Sequence, residues 1–122
     1  MNIALQIYQN LSALRQFPFS LSDALLVLYL HDLEKPWKYG KNKEQLNYFL
    51  SFDNEKEFLQ HQVKKYKFKL TESHLNGLKY VHGEGNDYSP TENIQKPLAA
   101  FVHSCDVFSA RIWFNESKIK KW

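Results

Sequence analysis

The chain has 122 residues, 43% of them apolar, with nine Phe, seven Tyr and three Trp; this suffices for one domain with one core and excludes a disordered tail. A single Cys excludes a disulfide scaffold and a Cys-rich zinc site. No basic segment leads into an apolar one and no apolar run is long enough for a bilayer, so a cytoplasmic protein with no membrane partner is expected; the net charge of +3 suits anionic small molecules and does not by itself indicate nucleic acid.

The pattern predicts helices nearly throughout, punctuated by four Gly and four Pro. From Ile3 to Arg15, Ile3, Leu5, Ile7, Tyr8, Leu11 and Leu14 fall near one face of an amphipathic helix, which Phe17-Pro18-Phe19 breaks. Ser20 reads as an N-cap with Asp23 in the capping-box position, and the apolar helix from Leu21 is expected to end at Pro36, because the residue before proline is pushed out of the helical region. Trp37 to Lys43 reads as a basic loop around Gly40. Helices are expected from Glu44 to Ser51 and from Asn54 to Tyr66, the latter with Phe58, Leu59, Val63 and Tyr66 inward.

Lys64 to Lys69 interleaves basic and aromatic residues, which reads first as a solvated helix end and second as a nucleic-acid patch. Thr71 should cap a helix that turns Leu75, Leu78 and His82 inward, and Gly83 to Pro90 a loop. Pro97 suits the first turn of a last helix running to Phe114. There is no repeat and no strand pattern. The expectation is an all-α bundle of about five to six helices, one domain over residues 1–122.

Two polar constellations stand out against this apolar background. The run Ala24-Leu25-Leu26-Val27-Leu28-Tyr29-Leu30 delivers His31-Asp32, then Leu33-Glu34-Lys35-Pro36. A carboxylate near a helix C-terminus faces the negative end of the dipole and, if buried, needs a cation or several hydrogen bonds. Lys35 is one candidate cation and a metal ion another. In the last helix His103 and Asp106 share a face at i,i+3, and the helical neighbours of Asp106 include no Lys or Arg, so Asp106 calls for a metal or a histidinium. His82 follows at the inner end of its own helix. His61 and His74 read as surface residues, and Cys105 as a small packing residue. Mixed imidazole and carboxylate donors suit manganese, iron, nickel or zinc, or magnesium where carboxylate and water dominate.

With His31-Asp32-Leu33-Glu34-Lys35-Pro36-Trp37, Tyr80-Val81-His82-Gly83-Glu84-Gly85 and Ala99-Ala100-Phe101-Val102-His103-Ser104-Cys105-Asp106, the chain resembles the HD-domain superfamily of metal-dependent phosphohydrolases. The resemblance spans most of the chain and implies a compact helical bundle. It implies His31, Asp32 and Asp106 as metal ligands, with His82 and His103 where two-metal members place further histidines. Asp32 and Lys35 become the catalytic pair, Lys35 as a phosphate contact, and Glu84, between two glycines, edges the substrate pocket. The implied reaction is hydrolysis of a nucleotide or other phosphate ester by metal-activated water. The family's first metal-binding His lies on a helix before the dyad, and no His precedes His31. Two expectations follow: a further N-terminal helix carries that ligand, or the ligand is lost and the domain binds a nucleotide or protein without catalysing. Trp113, Phe114 and Trp122 suggest either packing into a homodimer or a tail folded over its own core.

Overall fold

Small polar side chains set where the helices begin. The structure, a computed structural model, describes residues 2–113 and contains α1 (Asn2–Ser12), α2 (Leu21–His31), the short α3 (Lys35–Tyr39), α4 (Lys43–Leu50), α5 (Glu55–Lys65), α6 (Glu72–Tyr80) and α7 (Pro97–Val107). A 3-10 turn, Gly85–Asp87, precedes α7, and a π-helical segment, Phe108–Trp113, follows it. Ser20 and Thr71 form reciprocal capping boxes with Asp23 and His74, and the side chains of Asn42 and Asn54 accept from the first-turn N–H groups of α4 and α5. Each such cap contributes about 1 kcal/mol. No strand occurs among the described residues, and six helices have eight residues or more: the chain is the all-α bundle its pattern predicts.

The body is built from α2, α6 and α7, each packed on the other two, with α1 laid on α2 and α7. Its core holds Ala4, Ala24, Val27, Leu28, Val81, Leu98, Phe101, Val102 and Cys105. Gly77 permits the close approach of α6 to α2, since a Cβ there would sit 3.1 and 3.2 Å from the two Val27 methyls. Phe17 and Phe19 stack on each other at 5.2 Å and pack against Tyr8 and Phe101, so the segment that breaks the first helix also fastens it to α7. A second aromatic cluster, Trp37, Tyr48, Phe49 and Phe52 around the fully buried Phe58, holds α3, α4 and α5 together. Burying a ring of that size contributes about 1.5–3 kcal/mol.

Several boundaries and faces differ from the expectation. The α2 helix stops at His31 rather than Pro36, and residues expected as loop form α3, because Pro36 sits in a first helical turn, where its missing N–H costs nothing. The inward face of α5 is Phe58 and Gln62, with Tyr66 exposed; Gln62 is admitted because its Nε2 donates to the Tyr48 hydroxyl at 3.1 Å. The α6 helix is likewise rotated, burying His74, Gly77 and Tyr80 while Leu75 is exposed. The α-helical part of the last helix ends at Val107. Phe114 and Trp122 lie outside the described residues, as does the side chain of Trp113. No described helix is long and apolar enough to cross a membrane.

Candidate metal centre

The C-terminal end of α2 and the middle of α7 meet at His31, Asp32 and Asp106. One donor atom from each lies within 4.8 Å of the others. His31 Nε2 is 3.1 Å from Asp32 Oδ2 and 3.4 Å from Asp106 Oδ1. The imidazole is fixed from behind: its Nδ1 lies 2.5 Å from the Leu28 carbonyl oxygen, which only accepts, so Nδ1 carries the hydrogen. In the neutral ring Nε2 therefore presents a lone pair. That atom is buried and makes no hydrogen bond. A lone pair confronting two carboxylates is electrostatically unfavourable unless a cation or a proton lies between them.

The donor set fits a divalent metal ion. Cis ligands about 2.1 Å from an octahedral ion stand ~3.0 Å apart, and tetrahedral ligands at that radius ~3.4 Å apart. The two His31–carboxylate separations, 3.1 and 3.4 Å, lie in the range between them. Backbone anchoring of the second ring nitrogen is the usual way a ligating His is held. Three protein donors leave coordination positions open.

Around these three, the other expected residues take distinct places. Lys35 Nζ is 3.0 Å from Asp32 Oδ1, the carboxylate oxygen turned away from His31. That hydrogen bond to Asp32 holds the ammonium pKa above its ordinary value, so Lys35 stays cationic while its side chain remains 55% exposed. His82, just beyond α6, is expected from its spacing to be inward, yet its side chain is 71% exposed; it stands at the rim with Nδ1 3.3 Å from Asp106 Oδ2. The turn after α6 brings it there rather than the face of the helix. His103 is not among the three converging donors; its Nδ1 donates to the Val81 carbonyl at 2.7 Å. Gly83, at φ +101°, lets the chain pass over that imidazole: a Cβ would sit 3.6 Å from the ring in a backbone conformation side chains resist. Glu84 is half-buried in the next turn, and its carboxylate makes no hydrogen bond or ion pair among the described residues.

The cavity beside the three donors measures about 230 Å³ and is lined by Ile3, Ala4, Leu28, Cys105 and Ser109 besides the donors themselves. Burial pushes the Cys105 thiol up to about 11, and Cys105 is not among the converging donors, so it serves as a packing wall. A larger, shallower cleft of about 670 Å³ lies between α6 and the segment before α7. Three of its polar side chains are already engaged: Asn76 holds the Ile94 carbonyl and the Lys96 N–H, and Lys79 and Tyr80 hold Asp87. The three converging donors line the smaller cavity.

His74, expected at the surface, is buried. Its Nδ1 accepts from the Thr71 N–H at 3.0 Å and its Nε2 lies 2.8 Å from Asp23 Oδ1, joining the N-terminus of α6 to that of α2. Hydrogen bonds from the Ser20 N–H first, then from His74, hold the Asp23 carboxyl below the usual carboxylate range. The signal in the sequence was the paired spacing Ser20-x-x-Asp23 and Thr71-x-x-His74, two capping boxes whose fourth residues are chemically complementary.

Searches against protein-family models, curated proteins and solved structures find no match to this chain.

Proposed function

We propose that the chain is an HD-type metal-dependent phosphohydrolase acting on a nucleotide or other phosphate ester. The observation that carries this reading is the buried, unbonded Nε2 of His31 facing Asp32 and Asp106. His31, Asp32 and Asp106 would hold the divalent ion (manganese, nickel, iron, zinc or magnesium). Bound there, such an ion would polarise a phosphoryl oxygen and acidify a water at an open position. His31 contributes a neutral donor whose orientation is locked by the Leu28 carbonyl. Asp32 divides its two oxygens, Oδ2 toward the donor cluster and Oδ1 toward Lys35. Lys35, cationic and half-exposed, is available to hold a phosphate oxygen as a compact point charge. His82 stands at the rim, able to meet a leaving group or join a second ion with Asp106.

The second reading is a degenerate HD domain that binds a nucleotide or protein without turning it over. It is favoured by the apolar wall from α1, where Ile3 and Ala4 line the cavity and bring no donor.

The deciding experiment is a phosphate-ester screen on purified protein with each metal in turn, run beside Asp106→Ala. Metal-stimulated hydrolysis, lowered at least a hundredfold in the variant (about 2.7 kcal/mol of transition-state stabilisation), is expected. Equal rates from Asp106→Ala and wild type would remove the assignment. Stoichiometric nucleotide binding without turnover would select the second reading.

A further inference from the structure

The charge of this chain is unevenly distributed. Residues 35–69 hold nine Lys and four acidic residues, whereas the remaining described residues hold four basic and eight acidic ones. The basic stretch comprises α3, α4, α5 and the turn that ends α5. Its densest part is Lys64-Lys65-Tyr66-Lys67-Phe68-Lys69.

That turn has an unusual occupant. The Phe68 N–H bonds to the Val63 carbonyl and the Lys67 N–H to the Lys64 carbonyl, the hydrogen-bond pair of a Schellman cap. The left-handed position of such a cap is ordinarily glycine. Here it is Lys67, at φ +57°, the one described non-glycine residue with positive φ. A side chain in that conformation costs about 1–2 kcal/mol relative to right-handed backbone. Among the described residues Lys64, Lys65, Lys67 and Lys69 make no ion pair, as Lys41, Lys43, Lys56 and Lys96 do not, but only these four cluster around one exposed ring. Interaction with the helix dipole accounts for Lys64 and Lys65 in the last turn, but Lys67 and Lys69 lie beyond it. Between them Tyr66 is 59% exposed, and the Lys65 ammonium stands 5.5 Å from its ring centroid and 5.9 Å from that of Tyr48.

We infer that this surface, Lys64, Lys65, Tyr66, Lys67 and Lys69, binds single-stranded nucleic acid, the lysines meeting phosphates and Tyr66 offering a stacking face for a base. Uncompensated cations around an exposed ring are the elements such platforms use. An acidic peptide would have no use for the ring. A membrane surface would call for an apolar helix face, whereas Phe68, the next aromatic, is half-buried. The surface shares no residue with the metal centre, so the two assignments stand or fall separately.

The test is fluorescence anisotropy of a labelled oligouridylate and oligothymidylate with the full chain in chelator, titrated over a range of salt. Saturable binding is expected, with a slope of log K against log salt of roughly −3 for four lysines, from −0.7 per phosphate contact. Tyr66→Ala, truncating an exposed ring, should weaken binding by roughly 5- to 150-fold at constant salt. Lys67→Gly removes a charge while relieving the left-handed strain. It should flatten the slope by about 0.7 with no loss of thermal stability, a result that misfolding cannot imitate. No saturable binding overturns the inference. So does binding indifferent to Tyr66→Ala, or equal affinity for polyglutamate or phosphatidylserine vesicles, either of which would mark a general polyanion surface.

Discussion

Asp23 and His74, 51 residues apart, meet at 2.8 Å and join the first turns of α2 and α6. Each also closes the capping box of its own helix, Asp23 on Ser20 and His74 on Thr71. Because His74 Nδ1 accepts from backbone, the ring of the neutral residue carries its hydrogen on Nε2 and donates it to Asp23. Four groups at two helix starts are thus satisfied by one another.

Replacing His74 by Ala should therefore cost more than an ordinary cap. Loss of the capping interaction and of the partner of Asp23 together predicts a destabilisation of about 2 kcal/mol, read from denaturant midpoints. The double variant Asp23→Ala, His74→Ala should lose less than the sum of the singles, since the two share one bond. Strict additivity would mean that the link is energetically idle.

The same pair predicts an acid dependence. The Asp23 carboxyl is held below its ordinary value in the fold, chiefly by the Ser20 N–H. Its contribution is therefore fully present above the unfolded-state value of about 3.9 and is lost as pH falls through the lower folded value. Asp23→Asn keeps a cap but cannot titrate. Its stability deficit relative to wild type should be constant near neutrality and shrink below about pH 4. A deficit that persists unchanged to strong acid would contradict the assigned direction.

Metal should stabilise the chain. At a hundred times Kd, an ion bound only by the folded state contributes about 2.7 kcal/mol, on the order of 10 °C in Tm for a domain of this size. Differential scanning fluorimetry of chelator-treated protein with manganese or nickel checks this. Asp32→Ala and Asp106→Ala should abolish the shift, whereas His103→Ala, outside the three converging donors, should retain most of it.

Gly77→Ala tests the closeness of α2 and α6. Alanine gains about 1 kcal/mol of helix propensity, but its Cβ would meet the methyls of Val27, which is fully buried. Overpacking of that kind costs about 1–3 kcal/mol, so the net effect should be a loss. In a Val27→Ala background the same change should become stabilising. Thermal melts of the four proteins decide it.

Much of the fold was legible because its signals are local. Ser20, Asn54, Thr71 and Pro97 mark helix starts through chemistry confined to one turn, and the structure places helices after each. The dyad and Asp106 stand out in the sequence because carboxylates in apolar helices demand compensation, and the structure brings the three side chains together. What was not legible depends on partners distant in sequence. The inward turn of His74 follows from Asp23, and that of Gln62 from Tyr48. The exposure of His82 follows from α6 ending at Tyr80 before the side chain is reached, which helical spacing alone does not reveal. The left-handed Lys67 had no signal either, since composition there suggests only a solvated helix end.

The Asp23–His74 link also acts as a pivot. From it α2 runs eight residues, about 12 Å, to His31, while α6 leads to Val81 and His82, the neighbours of His103 and Asp106. Two rods pinned at one end carry the donors and their supports at the other, so a small tilt at the pin is magnified at the tips. Displacements of about 1 Å are enough to disable constellations of this kind. On the proposed function, substitutions at residues 23 and 74 would then surface in a screen as defects of metal loading, although neither side chain is among the three candidate donors, and repairing the lever would restore it.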